Sequence, residues 1–276
     1  MTYFLRGTTF SAAVFCLIYL LLSIAVPVVW SIIRSRRQSW SALLQFALRM
    51  LPLSAASLFV AALVVPSFVF LEPYRTGESV GVLGFLLALG GLVILVSGVV
   101  SSLIAWRRTA CFVTAYSTGD ELRVKGLDTP GRGIKASMPM VLVAGIHRPK
   151  LLISEGATGL LEPGELDVAI QHELAHVVAH DNLKKLMIHS VKFPLMQQLE
   201  RDWLEATEYA ADDAAATSES AAVDFASALL KVASHSASTA MPELAMSLVR
   251  DADHALRARV RRLIAWQSRR TSPCHA

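Results

Sequence analysis

No charged side chain occurs between Arg6 and Arg34, between Arg49 and Glu72, or between Glu78 and Arg107. Only 17% of the 276 residues are charged, 54% are hydrophobic, and the mean hydropathy is +0.48. That balance excludes an ordinary soluble domain. Each charge-free gap exceeds the roughly 20 apolar residues that a helix rising about 1.5 Å per residue needs to cross a bilayer core of about 30 Å. Three spanning helices are therefore expected, near 9–33, 50–71 and 80–106. They form a membrane domain, 1–106, ahead of a domain at 107–276 that is long enough to bury one core. The first stretch has a second reading, as a signal peptide cleaved near Ser23-Ile24-Ala25. Its long apolar run, and positive charges that mainly follow it, favour a span.

Cysteine is scarce too. Cys16, Cys111 and Cys274 form no metal-ligand spacing and no disulfide framework, and they suit a reducing compartment. The second half has no surplus of positive charge: residues 107–276 hold 20 basic and 20 acidic side chains, against 6 and 2 in residues 1–106. A direct nucleic-acid partner is excluded on that ground, and the lipid bilayer is the partner that the composition implies. There is no internal repeat and no low-complexity tract.

The arginines set an orientation. The first loop carries Arg34, Arg36, Arg37 and Arg49 without an acid, whereas the second carries Glu72, Arg75 and Glu78. The first loop is expected in the cytoplasm, and alternation places everything after Arg107-Arg108 there as well. Glycines 81, 84, 90, 91 and 98 in the third span read as close helix packing.

Beyond Arg108, β-rich runs at Cys111–Tyr116, Glu121–Lys125, Met140–Ile146 and Lys150–Ser154 predict a small sheet. Glu162-Pro163-Gly164-Glu165 then opens a helix over about 163–180. Residues 183–199 are apolar but interrupted by Lys184, Lys185, Lys192 and Pro194. They predict a bent helix on the membrane surface or an ordinary core helix rather than a fourth span. Helices near 200–217, 220–235 and 250–266 complete the chain.

The helix at 163–180 contains His172-Glu173-Leu174-Ala175-His176. Residues four apart share a helix face, so both imidazoles reach one tetrahedral zinc ion while Glu173 stands beside its open position as general base. Glu208 and Asp212, also four apart, supply a third ligand and an acceptor for the second ring N–H of a ligand histidine. Glu205 competes with Glu208 for the metal. His180 lies one turn too far along the row to share the ion and reads as a surface or hydrogen-bonding residue. The third-histidine position of the longer metzincin motif is Asn182, which excludes that class.

Three apolar segments, then Gly-Ile-His-Arg-Pro-Lys-Leu-Leu-Ile-Ser at 145–154, then Glu-Leu-Asp-Val-Ala-Ile-Gln-His-Glu-Leu-Ala-His at 165–176 and Asp181 make the chain similar to the BlaR/MecR-type membrane metallopeptidases. Glu208 to Asp212 and Phe225-Ala-Ser-Ala-Leu-Leu230 continue the likeness. The resemblance implies an α-helical membrane region with three spans, followed by an α+β, mainly helical, gluzincin-like peptidase domain. It also implies residence in the bacterial inner membrane, Zn²⁺ as cofactor, and cytoplasmic cleavage of protein or peptide substrates, a transcriptional repressor among them, in signal transduction. The extracellular β-lactam sensor that follows the protease in sensing members is not in this sequence. The chain also resembles the HtpX and prenyl-protease type of endopeptidase, through His254-Ala-Leu-Arg-Ala-Arg259. The weak fourth span ranks that second. A non-catalytic signalling protein that keeps the zinc fold is the other alternative, and the presence of Glu173 argues against it. An extended substrate is expected to add to the edge of Lys150–Ser154 or Met140–Ile146.

Overall fold

The computed structural model describes residues 3–35, 40–72, 80–116, 121–122, 131–146, 149–191, 193–237 and 246–266. In chain order the helices are α1 (Tyr3–Arg34), α2 (Ala42–Phe59), α3 (Val65–Leu71) and α4 (Val82–Tyr116). Among the described residues four strands follow: β1 (Glu121–Leu122), β2 (Gly131–Ile134), β3 (Val141–Ala144) and β4 (Lys150–Ser154). Then come α5 (Glu155–Leu160), α6 (Pro163–Val178), α7 (Asp181–Ser190), α8 (Gln197–Ala215), α9 (Glu219–Ala237) and α10 (Met246–Ile264). The chain divides into two compact units, one of residues 1–106 with 184–206, the other of 107–183 with 207–276.

In the first unit α1, the continuous stretch Ala42–Leu71 and the apolar part of α4 are long and apolar enough to cross a membrane. Their outward faces carry large apolar side chains such as Leu21, Leu58, Leu83 and Phe85, which in water would expose far more apolar surface than a soluble protein tolerates. A π turn at Val60–Val64 joins α2 to α3 just ahead of Pro66, whose missing N–H breaks the regular ladder. A Cβ on Gly98 would overlap the Ser190 carbonyl, so the backbones there touch only because the residue is glycine. At Gly81, by contrast, nothing stands near.

Two expectations are corrected here. The second span begins at Ala42, where the Ser41 hydroxyl accepts a hydrogen bond from Leu44 N at 3.3 Å. Arg49 therefore lies inside a helix, not in a loop, and is 1% exposed. Its Nε donates to Glu200 Oε1 at 2.7 Å, and its guanidinium also reaches the Val191 carbonyl. A neutralising carboxylate and a carbonyl make the charge tolerable in an apolar helix. Residues 183–199 form no single bent helix: α7 ends at Ser190 and Pro194 starts a short 3₁₀ turn before α8. Val191 packs with Phe15, Tyr19 and Ala56, while Met196 and Leu199 pack with Val26 and Trp30. The Asp202 carboxylate accepts from Trp30 Nε1 at 2.8 Å and pairs with Arg34 at 3.0 Å.

In the second unit the sheet order is β1-β2-β4-β3, with β2 and β4 parallel and the other pairs antiparallel. The expected strand at Cys111–Tyr116 is instead the end of α4. Helix propagation gains a hydrogen bond per residue, and no proline or glycine interrupts the sequence before Gly119. Of Glu121–Lys125, the residues after Leu122 lie outside the described ones. β4 is internal, so it offers no free edge to a substrate; that leaves β3 of the two runs named above. In β4, Leu151 and Ile153 face Leu166 and Ile170 of α6, and Leu152 packs on the other face of the sheet beside Ile134 and Ala144. A strand covered on both faces reads as an unbroken apolar run, as Leu-Leu-Ile does.

Pro163 starts α6, and Glu165 anchors it. Its Oε2 accepts from Glu162 N at 2.9 Å and from Lys231 Nζ at 2.7 Å, while Oε1 accepts from Ser227 at 2.5 Å. Burial opposes the Glu165 charge, but Lys231, Ser227 and the Glu162 N–H outweigh it and hold the carboxyl below its ordinary value. Val168, Ala215, Phe225, Val260 and Leu263 build the core shared by α6, α8, α9 and α10.

The ion pair at the start of α8 predicts an asymmetry. Glu200→Ala leaves the Arg49 cation buried without its carboxylate, whereas Arg49→Met removes the charge and keeps the volume. Glu200→Ala is expected to cost about 2–3 kcal/mol, and Arg49→Met clearly less. Thermal unfolding in detergent micelles measures both, and equal losses would refute the argument.

Candidate metal centre

Leu166 and Ile170 turn one stripe of α6 onto the sheet, and Glu173, three residues further on, continues it. Glu173 Oε2 accepts a hydrogen bond from Val143 N of β3 at 3.0 Å. His172 and His176 occupy the neighbouring stripe, which faces α8 and α9, and the His172 ring packs against Phe225 with centroids 5.0 Å apart. The helix period thus separates the candidate base from the candidate ligands while keeping all three on adjacent turns.

His172 Nε2 and His176 Nε2 stand 3.3 Å apart. Glu208, from α8, brings Oε2 to 3.5 Å from the first and Oε1 to 3.6 Å from the second. Among the described residues these three form the group of His, Cys, Asp and Glu able to share one ion. Glu205 is exposed and does not belong to the group.

Carboxylates behind the rings fix what the rings present. His176 Nδ1 lies 2.7 Å from Asp181 Oδ2 in a hydrogen bond. His172 Nδ1 faces Asp212 Oδ1 at 3.1 Å, at an angle that leaves it without a well-aligned hydrogen bond. Protons on both Nδ1 atoms leave two Nε2 lone pairs directed at one point, an arrangement that repels unless a cation stands there. Donors about 2.0–2.2 Å from a tetrahedral ion stand about 3.3–3.6 Å from one another, which is the spacing of this group. The residues therefore fit a metal.

Arg259 of α10 closes the centre from behind. It holds Asp212 with two bonds, Nε to Oδ2 at 2.8 Å and an NH2 group to Oδ1 at 2.5 Å, and reaches Glu208 Oε2 at 2.9 Å. Burial opposes the Glu208 charge, but His172 and Arg259 outweigh it and bring the carboxyl to about 2. Asp212 is lowered in the same way, against burial, by His172 and Arg259. Burial disfavours the His172 cation, yet Asp212 and Glu208 raise its pKa above the ordinary value. Glu173 differs: burial pushes its carboxyl up, against the pull of His172 and the Val143 N–H.

The structure thus brings His172, Glu173, His176, Glu208 and Asp212 together. His180 is exposed, with φ 55°, and its N–H bonds the Val177 carbonyl at 3.0 Å where α6 ends. The part played by Asp181 was not legible as a site residue, although an acid just past the second histidine is a signal for a ring partner. Arg259 reads in the sequence as one arginine of a solvated helix face and through the likeness to another peptidase type, because its partner lies 47 residues earlier.

A family model described as BlaR1 peptidase M56 matches residues 19–263. No curated protein and no solved structure matches the chain. The family match takes in most of the apolar helices as well as the histidine helix and its acidic partners on α8. The chain therefore belongs to the BlaR1 peptidase M56 family of membrane metallopeptidases.

Proposed function

We propose that the protein is a zinc-dependent endopeptidase of the bacterial inner membrane that hydrolyses protein substrates on the cytoplasmic side, as regulatory proteolysis in signal transduction. In this reading residues 1–106 anchor the chain and 107–276 carry the catalytic domain. A transcriptional repressor is the kind of substrate such signalling calls for. The observation that carries the proposal is the pair of imidazole nitrogens 3.3 Å apart, each backed by a carboxylate on its other ring nitrogen. The nitrogen and carboxylate donor set suits zinc.

His172, His176 and Glu208 would hold the ion, which when bound supplies Lewis-acid activation of water and of a peptide carbonyl. Glu173 takes a proton from the attacking water and passes it to the leaving amine. The Val143 N–H fixes one oxygen of that carboxylate and leaves the other to work. Asp212 and Asp181 hold the rings in the tautomer that presents Nε2. Arg259 keeps Glu208 and Asp212 ionised side by side.

Three outcomes are expected. Purified protein should contain about one zinc per chain, and His176→Ala or Glu208→Ala should remove most of it by elemental analysis. Loss in Glu205→Ala alone would move the third ligand to that residue. Glu173→Gln should keep zinc and membrane yield but slow proteolysis by about 10²–10⁴-fold, while His180→Gly leaves most activity. A mutant that cleaves as fast as the native chain would refute the base. A reporter active only in the cytoplasm should work when fused after Ala276 and fail when fused at Gly77; the reverse pattern inverts the topology.

A further inference from the structure

At Val143 and Gly145 the outer edge of β3 is already hydrogen-bonded to side chains. Ser154 N donates to the Met140 carbonyl at 2.9 Å, which makes 140 and 154 a bonded pair across the antiparallel β3/β4 register. Bonded pairs alternate, so Leu142 and Ala144 turn their backbone groups toward β4, and Val143 turns its own toward the free edge. Glu173 accepts from the Val143 N–H. Asn182, the second residue of α7, donates from Nδ2 to the Val143 carbonyl at 3.2 Å and to the Gly145 carbonyl at 3.1 Å. Both partners are acceptors, so only the amide nitrogen fits there, one hydrogen for each carbonyl. Gly145 has φ 107°, a conformation that glycine alone adopts readily, and this turns its carbonyl onto the same amide.

A peptide that adds to this edge must offer backbone N–H groups to the Val143 and Gly145 carbonyls. Asn182 holds both. Beside it lies a cavity of about 440 Å³, bordered by Ile146, Pro149, His176, Val177 and Leu183, with room for a chain that displaces the amide.

We propose that Asn182 stands in for substrate on the β3 edge, and that an extended peptide binds by exchanging its own N–H groups for the Asn182 amide. Asn182 thereby sets which substrates engage, because only a segment that presents free N–H groups on alternate residues in extended form competes for the two carbonyls. Glu173 keeps the Val143 N–H throughout and so remains oriented. This rests on the peptidase reading of the site, but the binding step is separable from cleavage.

The test uses the full chain in lipid nanodiscs with a chelator present, so that nothing is cut, and a fluorescein-labelled ten-residue peptide rich in Thr and Val. Asn182→Ala and Asn182→Ser are both expected to bind the peptide about three- to tenfold more tightly than the native chain, the factor one neutral hydrogen bond represents. The same peptide methylated on its backbone nitrogens should bind native and variant chains equally poorly. With zinc restored and labelled unfolded casein as substrate, the variants should lower KM and leave kcat unchanged. Unchanged or weaker binding in both variants, no peptide binding by any chain, or loss of folding in both variants would each overturn the proposal. Failure of the native, zinc-loaded chain to cut casein would count against the peptidase reading and leave the binding result to stand.

Discussion

Asp212 is 1% exposed, and three helices of the second unit meet at its carboxylate. Its oxygens take the Arg259 guanidinium from α10 and face the His172 ring from α6, while its own backbone belongs to α8. A carboxylate buried so deeply is tolerated only with a partner of opposite charge, and the planar fork of arginine satisfies both oxygens at once. The position of His172 follows from this pairing, and so does that of Glu208, which Arg259 also holds. The geometry of the candidate centre is thus a consequence of how one acid is neutralised. Phe225 adds an apolar wall, lying against the His172 ring and 5.8 Å from the Arg259 guanidinium. That wall strengthens the surrounding electrostatics by keeping water away.

The first unit solves the same problem in an apolar setting. Arg49 is buried in a membrane helix because Glu200 meets it, and Asp202 in turn takes Trp30 and Arg34. Both acids lie in the first two turns of α8, and the same helix carries Glu208 and Asp212 two turns further on.

The spans, the histidine helix and its acidic partners were legible because each rests on a local period. Apolar runs are counted directly, and four-residue spacing places His172 with His176 and Glu208 with Asp212 on common faces. The strand Lys150–Ser154 announced itself through an unbroken apolar run that suits burial on both faces. What was not legible depends on distant partners. Gly-Arg-Gly-Ile at 131–134 has little strand character, and pairing with β4 makes it a strand. Arg49 looked like a loop residue because the acid that permits its burial lies 151 positions later. Cys111–Tyr116 had strand-like residues, yet α4 simply continued through them. The mask on the β3 edge was beyond reach, since it needs the register of a sheet and the direction of one amide.

The backbone at His180 has a further consequence. Its left-handed φ of 55° ends α6 and reverses the chain within a few residues, so that Asp181 returns to the His176 ring. The interval between those two residues behaves as a ruler of fixed length. A helix advances about 100° per residue, so one residue gained or lost in the interval would swing the carboxylate well away from the imidazole. Glycine at 180 would keep that backbone without strain, whereas a residue inserted or deleted between His176 and Asp181 would part the ring from its carboxylate.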